Sequence, residues 1–294
     1  MTLPHSPLQR PPERVLILHN PLVARSAALA AEMHAYLSSQ AGLSVQQAVL
    51  GEAEDGAGVA GQDLIVLLGG DGSMLRAGAL AARHGVPLLG INLGRLGFLG
   101  EVPPEEWREA LGRVLAGDCW LEARMLLHVE HHRAGQVLGS YEALNEAVVG
   151  RGALARPVRL KALIDGGELT TYVADGLIIA TPTGSTAYAL AAGGPVLPPE
   201  LRNILLIAIA PHLSIDRAIV LPQGSTVEVI VRTDHQAILS ADGQYEVPLA
   251  DGDAVRVCMS QFTVNFVRVR PRHYFYTSLV QRMQQNPSAD KVSK

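Results

Sequence analysis

The first 120 residues alternate between apolar runs and stretches whose apolar residues recur with a helical period. Arg14–His19 and residues 64–68 are almost wholly apolar, which is typical of strands buried on both faces of a parallel sheet. Residues 26–39 show the period of a helix, and residues 87–91 form another apolar run. Strand, helix and strand in this order predict an α/β fold with a mostly parallel sheet.

After Cys119 the pattern changes to short segments in which apolar and polar residues alternate. Residues 227–232 and 263–269 show the period of two that half-buried strands have, and Asp-Gly pairs favour tight turns between such segments. A helical period returns from Arg272. We therefore expect an α/β domain over residues 1–122, a β-rich, sandwich-like domain over residues 123–270, and a C-terminal segment, residues 271–294, that returns to the first domain.

A glycine-rich turn, Gly69-Gly70-Asp71-Gly72, follows the apolar run at 64–68 and precedes a helical pattern from about Ser73. Open α/β sheets bind ligands at the carboxyl ends of their strands, and glycines let the backbone approach a phosphate closely. The helix N-terminus that follows favours anionic groups. Because a carboxylate repels phosphates, Asp71 is better suited to accept a proton from a hydroxyl or to hold a metal ion. The alternative is an aspartate that only caps the helix.

A second group of polar residues lies within residues 175–195. A short apolar strand leads into residues 181–186, a run of hydroxyls with one glycine, and then into a helix start made of small residues. The backbone N–H groups and hydroxyls of such a loop are suited to bind phosphate or ribose oxygens. Asp175 is suited to accept hydrogen bonds from sugar hydroxyls or an amino group. The alternative is a helix capped by threonine or serine in a β-rich domain.

Composition narrows the class of protein. A net charge of −4 gives no basic field for nucleic acid, and an aromatic content of 4% argues against stacking platforms for single strands. The longest apolar run, residues 204–210, is too short to cross a bilayer, and the N-terminus lacks a signal-peptide pattern. We therefore expect neither a nucleic acid nor a membrane as partner. Cys119 and Cys258 form no disulfide framework, and the cysteines and histidines show no metal-ligand spacing, which favours a cytoplasmic protein without a metal site of its own.

Taken together, these motifs resemble the NAD kinase family. The turn at 69–72 also occurs in diacylglycerol, sphingosine and 6-phosphofructokinase-like enzymes, so by itself it indicates only that wider group. The signature at 175–195, the pair Asn145-Glu146 and the block at 92–99 are more specific. The resemblance extends from Arg14 to about Met283 in the order and spacing of the family.

The resemblance implies a kinase that transfers a phosphoryl group from ATP, or from polyphosphate, to the adenosine-ribose 2′-hydroxyl of NAD and produces NADP. It implies Asp71 as the catalytic proton acceptor, a divalent metal ion, Mg²⁺, delivered with ATP, and a homodimer or homotetramer. It also implies an α/β N-terminal domain and a β-rich C-terminal domain. The substrate-binding positions that match those of the family are Asp71, Gly72, Arg76, Asn145, Glu146, Arg156, Asp175, Thr186, Ala187, Tyr188, Ala189, Leu190, Ala191, Ala210 and Gln244.

Two other functions are compatible with the glycine-rich turn. A lipid or other small-molecule kinase would need an apolar groove or a membrane-facing patch, and the chain has no basic amphipathic segment to serve one. A non-catalytic, dinucleotide-binding regulator would keep the site but would gain nothing from a carboxylate beside phosphates. Val173 stands where many bacterial relatives carry an arginine, which bears on the choice between NAD and NADH.

Overall fold

The computed structural model describes residues 5–8, 10–53, 56, 58–94, 97–152, 156–212 and 215–284. The chain divides into two compact units: unit 1 is Met1–Arg124 with Thr263–Lys294, and unit 2 is Met125–Phe262. The domain boundaries near residues 122 and 270 stay a prediction, because compactness does not test whether each part folds alone. Within the described ranges, no helix is long and apolar enough to cross a membrane.

Strands and helices alternate over the first 115 residues. In chain order these elements are β1 (His5–Pro7), β2 (Arg14–His19), α1 (Ser26–Ser38), β3 (Ser44–Val49), β4 (Leu64–Gly69), α2 (Asp71–His84), β5 (Leu88–Asn92), a 3-10 turn (Pro104–Glu106) and α3 (Trp107–Leu115). β2 pairs in parallel with β3 and with β4, and β4 pairs in parallel with β5. The predicted α/β fold with a mostly parallel sheet is confirmed.

The apolar pattern accounts for most of these elements. All six residues of β4 are buried, as expected for a strand with helices on both faces. Helix α1 buries Ala30, Met33 and Leu37, which lie on one face, and α2 ends at Gly85, whose left-handed φ of +66° closes the helix. The core of unit 1 forms between these helices and the sheet.

Three elements differ from the sequence-based expectation. The sequence of residues 1–13 predicts a loose, Pro-rich arm, but β1 pairs with β6 (Trp120–Arg133). β3 was not predicted, because this strand pairs only with β2 at the sheet edge and its partly exposed side chains form no apolar run. Helix α2 begins at Asp71 rather than at Ser73. Gly70 is its extended N-cap residue, with φ of −94° and ψ of −174°, so the helix starts immediately after the strand.

The remaining elements are mostly strands. In chain order they are β6 (Trp120–Arg133), β7 (Gln136–Ala143), β8 (Glu146–Arg151), β9 (Val158–Ile164), β10 (Gly167–Ala174), β11 (Gly176–Ala180), a 3-10 turn (Gly184–Thr186), α4 (Tyr188–Ala191), β12 (Asn203–Ile209), β13 (Ile219–Pro222), β14 (Val227–Arg232), β15 (Ala237–Ala241), β16 (Tyr245–Leu249), β17 (Ala254–Arg268) and α5 (Tyr274–Gln284). Six of them form an antiparallel sheet in the order β13-β12-β11-β8-β15-β16. Strands β10, β9, β14 and β17 are antiparallel neighbours, and β6 pairs with β7.

Side chains from both groups of strands meet in the core of unit 2. Val149, Leu177 and Leu239 come from the six-stranded sheet, and Val229 and Val257 come from the other group. This packing of one sheet on another confirms the predicted β-rich, sandwich-like part. The tight turns predicted at Asp-Gly pairs are present at Asp165-Gly166 and at Asp242-Gly243. Both residues of each pair have the positive φ that such hairpin turns require.

Candidate active site

In unit 1, Asp71 lies at the point where β4 ends and α2 begins. The carboxylate is held by a second loop, because Phe98 donates its backbone N–H to Oδ2 at 2.9 Å and Leu99 donates to Oδ1 at 3.4 Å. Helix α2 has no side-chain cap hydrogen bond. The alternative of an aspartate that only caps its helix is therefore wrong. Each carboxylate oxygen keeps a further lone pair that can accept a hydrogen bond.

Gly97 lets this loop approach the carboxylate. A Cβ atom at residue 97 would lie 2.1 Å from Oδ2 of Asp71, which is shorter than any real contact. Gly69, at the end of β4, also leaves no space for a side chain, since a Cβ there would lie 2.5 Å from Cβ of Ser73. Gly97 thus allows the close approach of its loop to Asp71, and Gly69 allows the close approach of Ser73 at the start of α2.

The other predicted site residues of unit 1 lie on the first turns of α2. Gly72 is exposed and directly follows Asp71, whereas Arg76 is half-buried. Arg76 lies five positions after Asp71, which places their side chains about 140° apart around the helix. The structure therefore brings Gly72 next to Asp71 in the chain and places Arg76 on a different face of the helix.

In unit 2, Asp242 fixes the backbone of the Asn145-Glu146 pair. Its carboxylate accepts three backbone N–H groups, from Leu144 at 2.7 Å, from Asn145 at 2.8 Å and from Glu146 at 3.0 Å. Sequence reasoning missed this role, because Asp242-Gly243 carried only the signal of a hairpin turn. The positive φ of Asp242, +52°, fits that turn as well.

Glu146 is a buried carboxyl group with an uncommitted oxygen. Within the described part of the chain, its Oε2 is buried and has no hydrogen-bond partner. Burial first, and the neighbouring charge of Asp242 second, raise the pKa of Glu146 to about 8, although the backbone N–H of Tyr188 opposes this rise. Glu146 is therefore mostly protonated at neutral pH and is able to donate a hydrogen bond as well as accept one.

Three hydroxyls of residues 181–186 donate hydrogen bonds to backbone carbonyls, two of them within the loop. Thr181 donates to the carbonyl of Leu144 at 2.5 Å, Ser185 to that of Pro182 at 2.6 Å, and Thr186 to that of Thr183 at 3.0 Å. In the structure these three hydroxyls thus already have backbone acceptors, and their donation to a phosphate or ribose stays a prediction. The physical reason is burial, since all six residues of the loop are buried and buried polar groups need partners.

Gly184 joins this loop to the Asn145-Glu146 pair. A Cβ at residue 184 would lie 2.2 Å from the carbonyl oxygen of Asn145, so glycine is required there. The N–H of Thr181 also donates to that carbonyl, at 2.8 Å. The structure thus brings together two segments, around residues 145 and 184, that the sequence analysis singled out separately.

A cavity of about 320 Å³ in unit 2 contains Asp175. Its volume lies within the usual range for small-molecule pockets. Nε of Arg151 lies 2.9 Å from Oδ1 of Asp175, and both side chains are partly exposed. Sequence reasoning missed Arg151. The lining residues are Val148, Gly150, Arg151, Gly152, Asp175, Tyr188 and Ile209.

The remaining predicted positions lie on the surface or in α4 of unit 2. Ala210 is exposed, has a φ of +45°, and follows Ile209, whose carbonyl accepts the N–H of Asp175. Gln244 is exposed in the β15–β16 hairpin, and Arg156 is exposed between β8 and β9. Around and within α4, Ala189 is buried, Ala187 and Leu190 are half-buried, and Tyr188 and Ala191 are exposed.

The described ranges contain no preformed metal centre. No group of three or more His, Cys, Asp or Glu residues there is arranged to hold a metal ion. Cys119 and Cys258 are free and half-buried, and burial raises the pKa of both thiols.

Comparison with known proteins decides the family. Residues 53–119 match the ATP-NAD kinase N-terminal domain, and residues 144–269 match the ATP-NAD kinase C-terminal domain. A relative named NAD kinase, from Chloroflexus aggregans, is 41% identical over 275 residues, which are 93% of this chain and 99% of the relative. The chain belongs to the NAD kinase family. The resemblance inferred from the motifs is confirmed, and the protein is an enzyme of the phosphotransferase class.

A further relative and two solved structures agree with this assignment. A NAD kinase from Heliobacterium modesticaldum is 45% identical over 224 residues, which are 76% of this chain and 79% of the relative. The crystal structure of yeast NADH kinase complexed with NADH has a TM-score of 0.82 and 26% identity, covering 95% of this chain and 89% of that one. The structure of an NAD kinase from Archaeoglobus fulgidus in complex with ATP has a TM-score of 0.71 and 28% identity, covering 92% and 99%.

Proposed function

We propose that this protein transfers the γ-phosphoryl group of ATP to the adenosine-ribose 2′-hydroxyl of NAD and that Asp71 accepts the hydroxyl proton. The observation that carries the role of Asp71 is its carboxylate geometry. Two backbone N–H groups hold the carboxylate at the carboxyl end of β4, where ligands of open α/β sheets bind, and none of its hydrogen bonds caps its own helix.

In the proposed step, the proton of the 2′-hydroxyl passes to a carboxylate oxygen of Asp71. The hydroxyl oxygen forms a bond to the γ-phosphorus, the bond from that phosphorus to the β–γ bridging oxygen breaks, and ADP leaves. Such transfers depend mainly on positioning and on neutralisation of charge. We propose that Mg²⁺ enters with ATP as part of that substrate, because this ion favours substrate phosphates with one or two carboxylates.

We further propose that unit 2 binds NAD through Asn145, Glu146 and Asp175. The free Oε2 atom of Glu146 supports a hydrogen bond to a ribose hydroxyl, and the cavity that contains Asp175 and Tyr188 supports a bound ligand group. The other matched positions complete the proposed substrate contacts. These are Gly72, Arg76, Arg156, Thr186, Ala187, Ala189, Leu190, Ala191, Ala210 and Gln244.

Location and assembly are proposed as a cytoplasmic homodimer or homotetramer. The location is supported by two free cysteines, which suit a reducing compartment. Light scattering coupled to gel filtration measures the assembly, and a monomeric mass at working concentration would contradict it.

The deciding experiment incubates the purified protein with NAD, ATP and Mg²⁺ and measures NADP. Polyphosphate in place of ATP, and NADH in place of NAD, define the donor and the acceptor. Asp71→Asn should lower kcat by about 10²- to 10⁴-fold, because a general base is lost, while NAD binding measured by calorimetry changes little. A kcat close to that of the unmodified protein would refute the role of Asp71.

A further inference from the structure

A buried arginine, Arg268, is linked to Asp71 through the loop that holds the carboxylate. Arg268 donates from Nη1 to the carbonyl of Leu99 at 2.8 Å. The N–H of Leu99, in turn, donates to Asp71, as does the N–H of Phe98. All of these residues belong to unit 1.

We propose that Arg268 is a positioning residue for Asp71, acting through the Leu99 carbonyl to keep two backbone N–H groups on the carboxylate. The proposal rests on the role of Asp71 as proton acceptor given above. A carboxylate that must meet a substrate hydroxyl needs a fixed orientation, and displacement of a reacting group by about 1 Å can cost about a hundredfold in rate.

Arg268 is itself held rigidly. Glu122 accepts from its Nε at 2.6 Å and lies 2.5 Å from its Nη2, while the guanidinium carbon lies 4.9 Å from the centre of the Phe266 ring. The residue is only 5% exposed. Its planar fork thus reaches Glu122 on one side and Leu99 on the other, which a single ammonium group does not reproduce.

The charges around Arg268 include that of Asp71. Burial lowers the pKa of the Arg268 guanidinium, but the charges of Glu122 and Glu101, with a smaller contribution from Asp71, raise it overall. Arg268 therefore stays charged within the core of unit 1.

The loop is also packed from the side of α5. Arg282 lies over the ring of Phe98 at 5.5 Å, and the rings of Phe98 and Phe275 are 6.5 Å apart. These aromatic contacts are apolar or cation–π in character, whereas Arg268 adds a hydrogen bond to the loop backbone at the Leu99 carbonyl.

Arg124 provides a matched control. It is 3% exposed, donates two hydrogen bonds to the same Glu122 oxygen at 2.9 and 3.1 Å, and lies 5.2 Å from the Phe266 ring. Among the residues that the structure describes, Arg124 donates hydrogen bonds to Glu122, whereas Arg268 donates to Glu122 and also to Leu99. Equal substitutions at the two positions thus disturb the same ion pair and differ in the link to Asp71.

The experiment compares Arg268→Lys with Arg124→Lys, each alone and combined with Asp71→Asn. We expect Arg268→Lys to lower kcat by about tenfold to a hundredfold, with the KM values for NAD and ATP changed by less than about twofold. Arg124→Lys should keep kcat within about threefold at a similar melting temperature. In the Asp71→Asn background, Arg268→Lys should cause no further loss, because residues that act as one unit are not additive.

Three results would overturn the proposal. They are an unchanged kcat in Arg268→Lys, equal losses in the two lysine variants, or a loss from Arg268→Lys that persists in the Asp71→Asn background. If Asp71→Asn alone keeps full activity, the proposed role of Asp71 fails instead, and the two failures are thereby distinguished. If Arg268→Lys does not fold, Arg268→Met and Arg124→Met, each with Glu122→Gln, make the same comparison without an unpaired buried carboxylate.

Discussion

The raised pKa of Glu146 makes a quantitative prediction about stability. With a pKa of about 8 in the folded protein against an ordinary value of 4.5, the native state binds a proton over a range where the unfolded chain has lost it. The free energy of unfolding therefore falls as the pH rises from 4.5 to about 8 and levels off above that range. The stabilisation from the protonated Glu146 is fully present below the pKa that this residue has in the unfolded chain. It is lost as the pH rises through the pKa that the residue has in the folded protein.

Glu146→Gln removes this titration while keeping the shape of the side chain. Each pH unit within the range lowers the free energy of unfolding of the unmodified protein by about 1.4 kcal/mol, and the variant lacks this loss. The free energy of unfolding of the variant, measured relative to that of the unmodified protein, should therefore rise by about 2–3 kcal/mol between about pH 5 and about pH 7. Above pH 8 the glutamine variant should be the more stable of the two, because the folded protein then no longer contains a buried carboxylate beside Asp242.

Urea unfolding at several pH values, followed by circular dichroism, measures this difference. Tryptophan fluorescence is less suitable, because Trp107 and Trp120 both lie in unit 1 and Glu146 lies in unit 2. Hydrogen exchange of the β8 amides reports on unit 2 directly. Glu246→Gln, at an exposed position of β16, controls for the loss of one carboxylate from unit 2. Parallel curves for Glu146→Gln and the unmodified protein would refute the reasoning.

Two further predictions concern the surroundings of the proposed reacting groups. Gly97→Ala should lower kcat by at least about tenfold, because its Cβ would displace the Asp71 carboxylate, whereas Gly94→Ala, whose Cβ would have 3.5 Å of clearance, should not. Steady-state rates of both folded variants check this, and equal rates would contradict it. Asp175→Ala should weaken NAD affinity by about 1–3 kcal/mol. Its melting temperature should change little, because the ion pair with Arg151 is partly exposed, and a loss of stability without a change in the NAD constants would contradict a binding role.

Elements with a strong apolar pattern were predictable from the sequence. β4 is buried at every position and follows directly from its apolar run, and the Asp-Gly hairpins follow from turn chemistry. β3 was not predictable, because an edge strand with partly exposed side chains has no pattern that separates it from a loop. Its position depends on pairing with β2, which is a tertiary effect.

In the candidate site too, the sequence indicated some residues and left others unidentified. Local signals pointed to Asp71, in a glycine-rich turn, and to Asp175, whereas Glu146 was identified only through the resemblance to the NAD kinase family. Their neighbours are distant in sequence, since Arg268 hydrogen-bonds to the carbonyl of Leu99 and Asp242 accepts the N–H of Asn145. The sequence also does not reveal whether a hydroxyl, such as that of Thr181, donates its hydrogen bond to a ligand or to a neighbouring carbonyl.

The three backbone N–H groups that converge on Asp242 have a thermodynamic consequence for ligand binding. Ordering the backbone of one residue costs about 1–2 kcal/mol in conformational entropy. Because Asp242 already orders Leu144, Asn145 and Glu146 in the ligand-free fold, about 3–6 kcal/mol of this cost arises during folding and not during association. A dinucleotide that binds this segment therefore meets a surface that is rigid before it arrives.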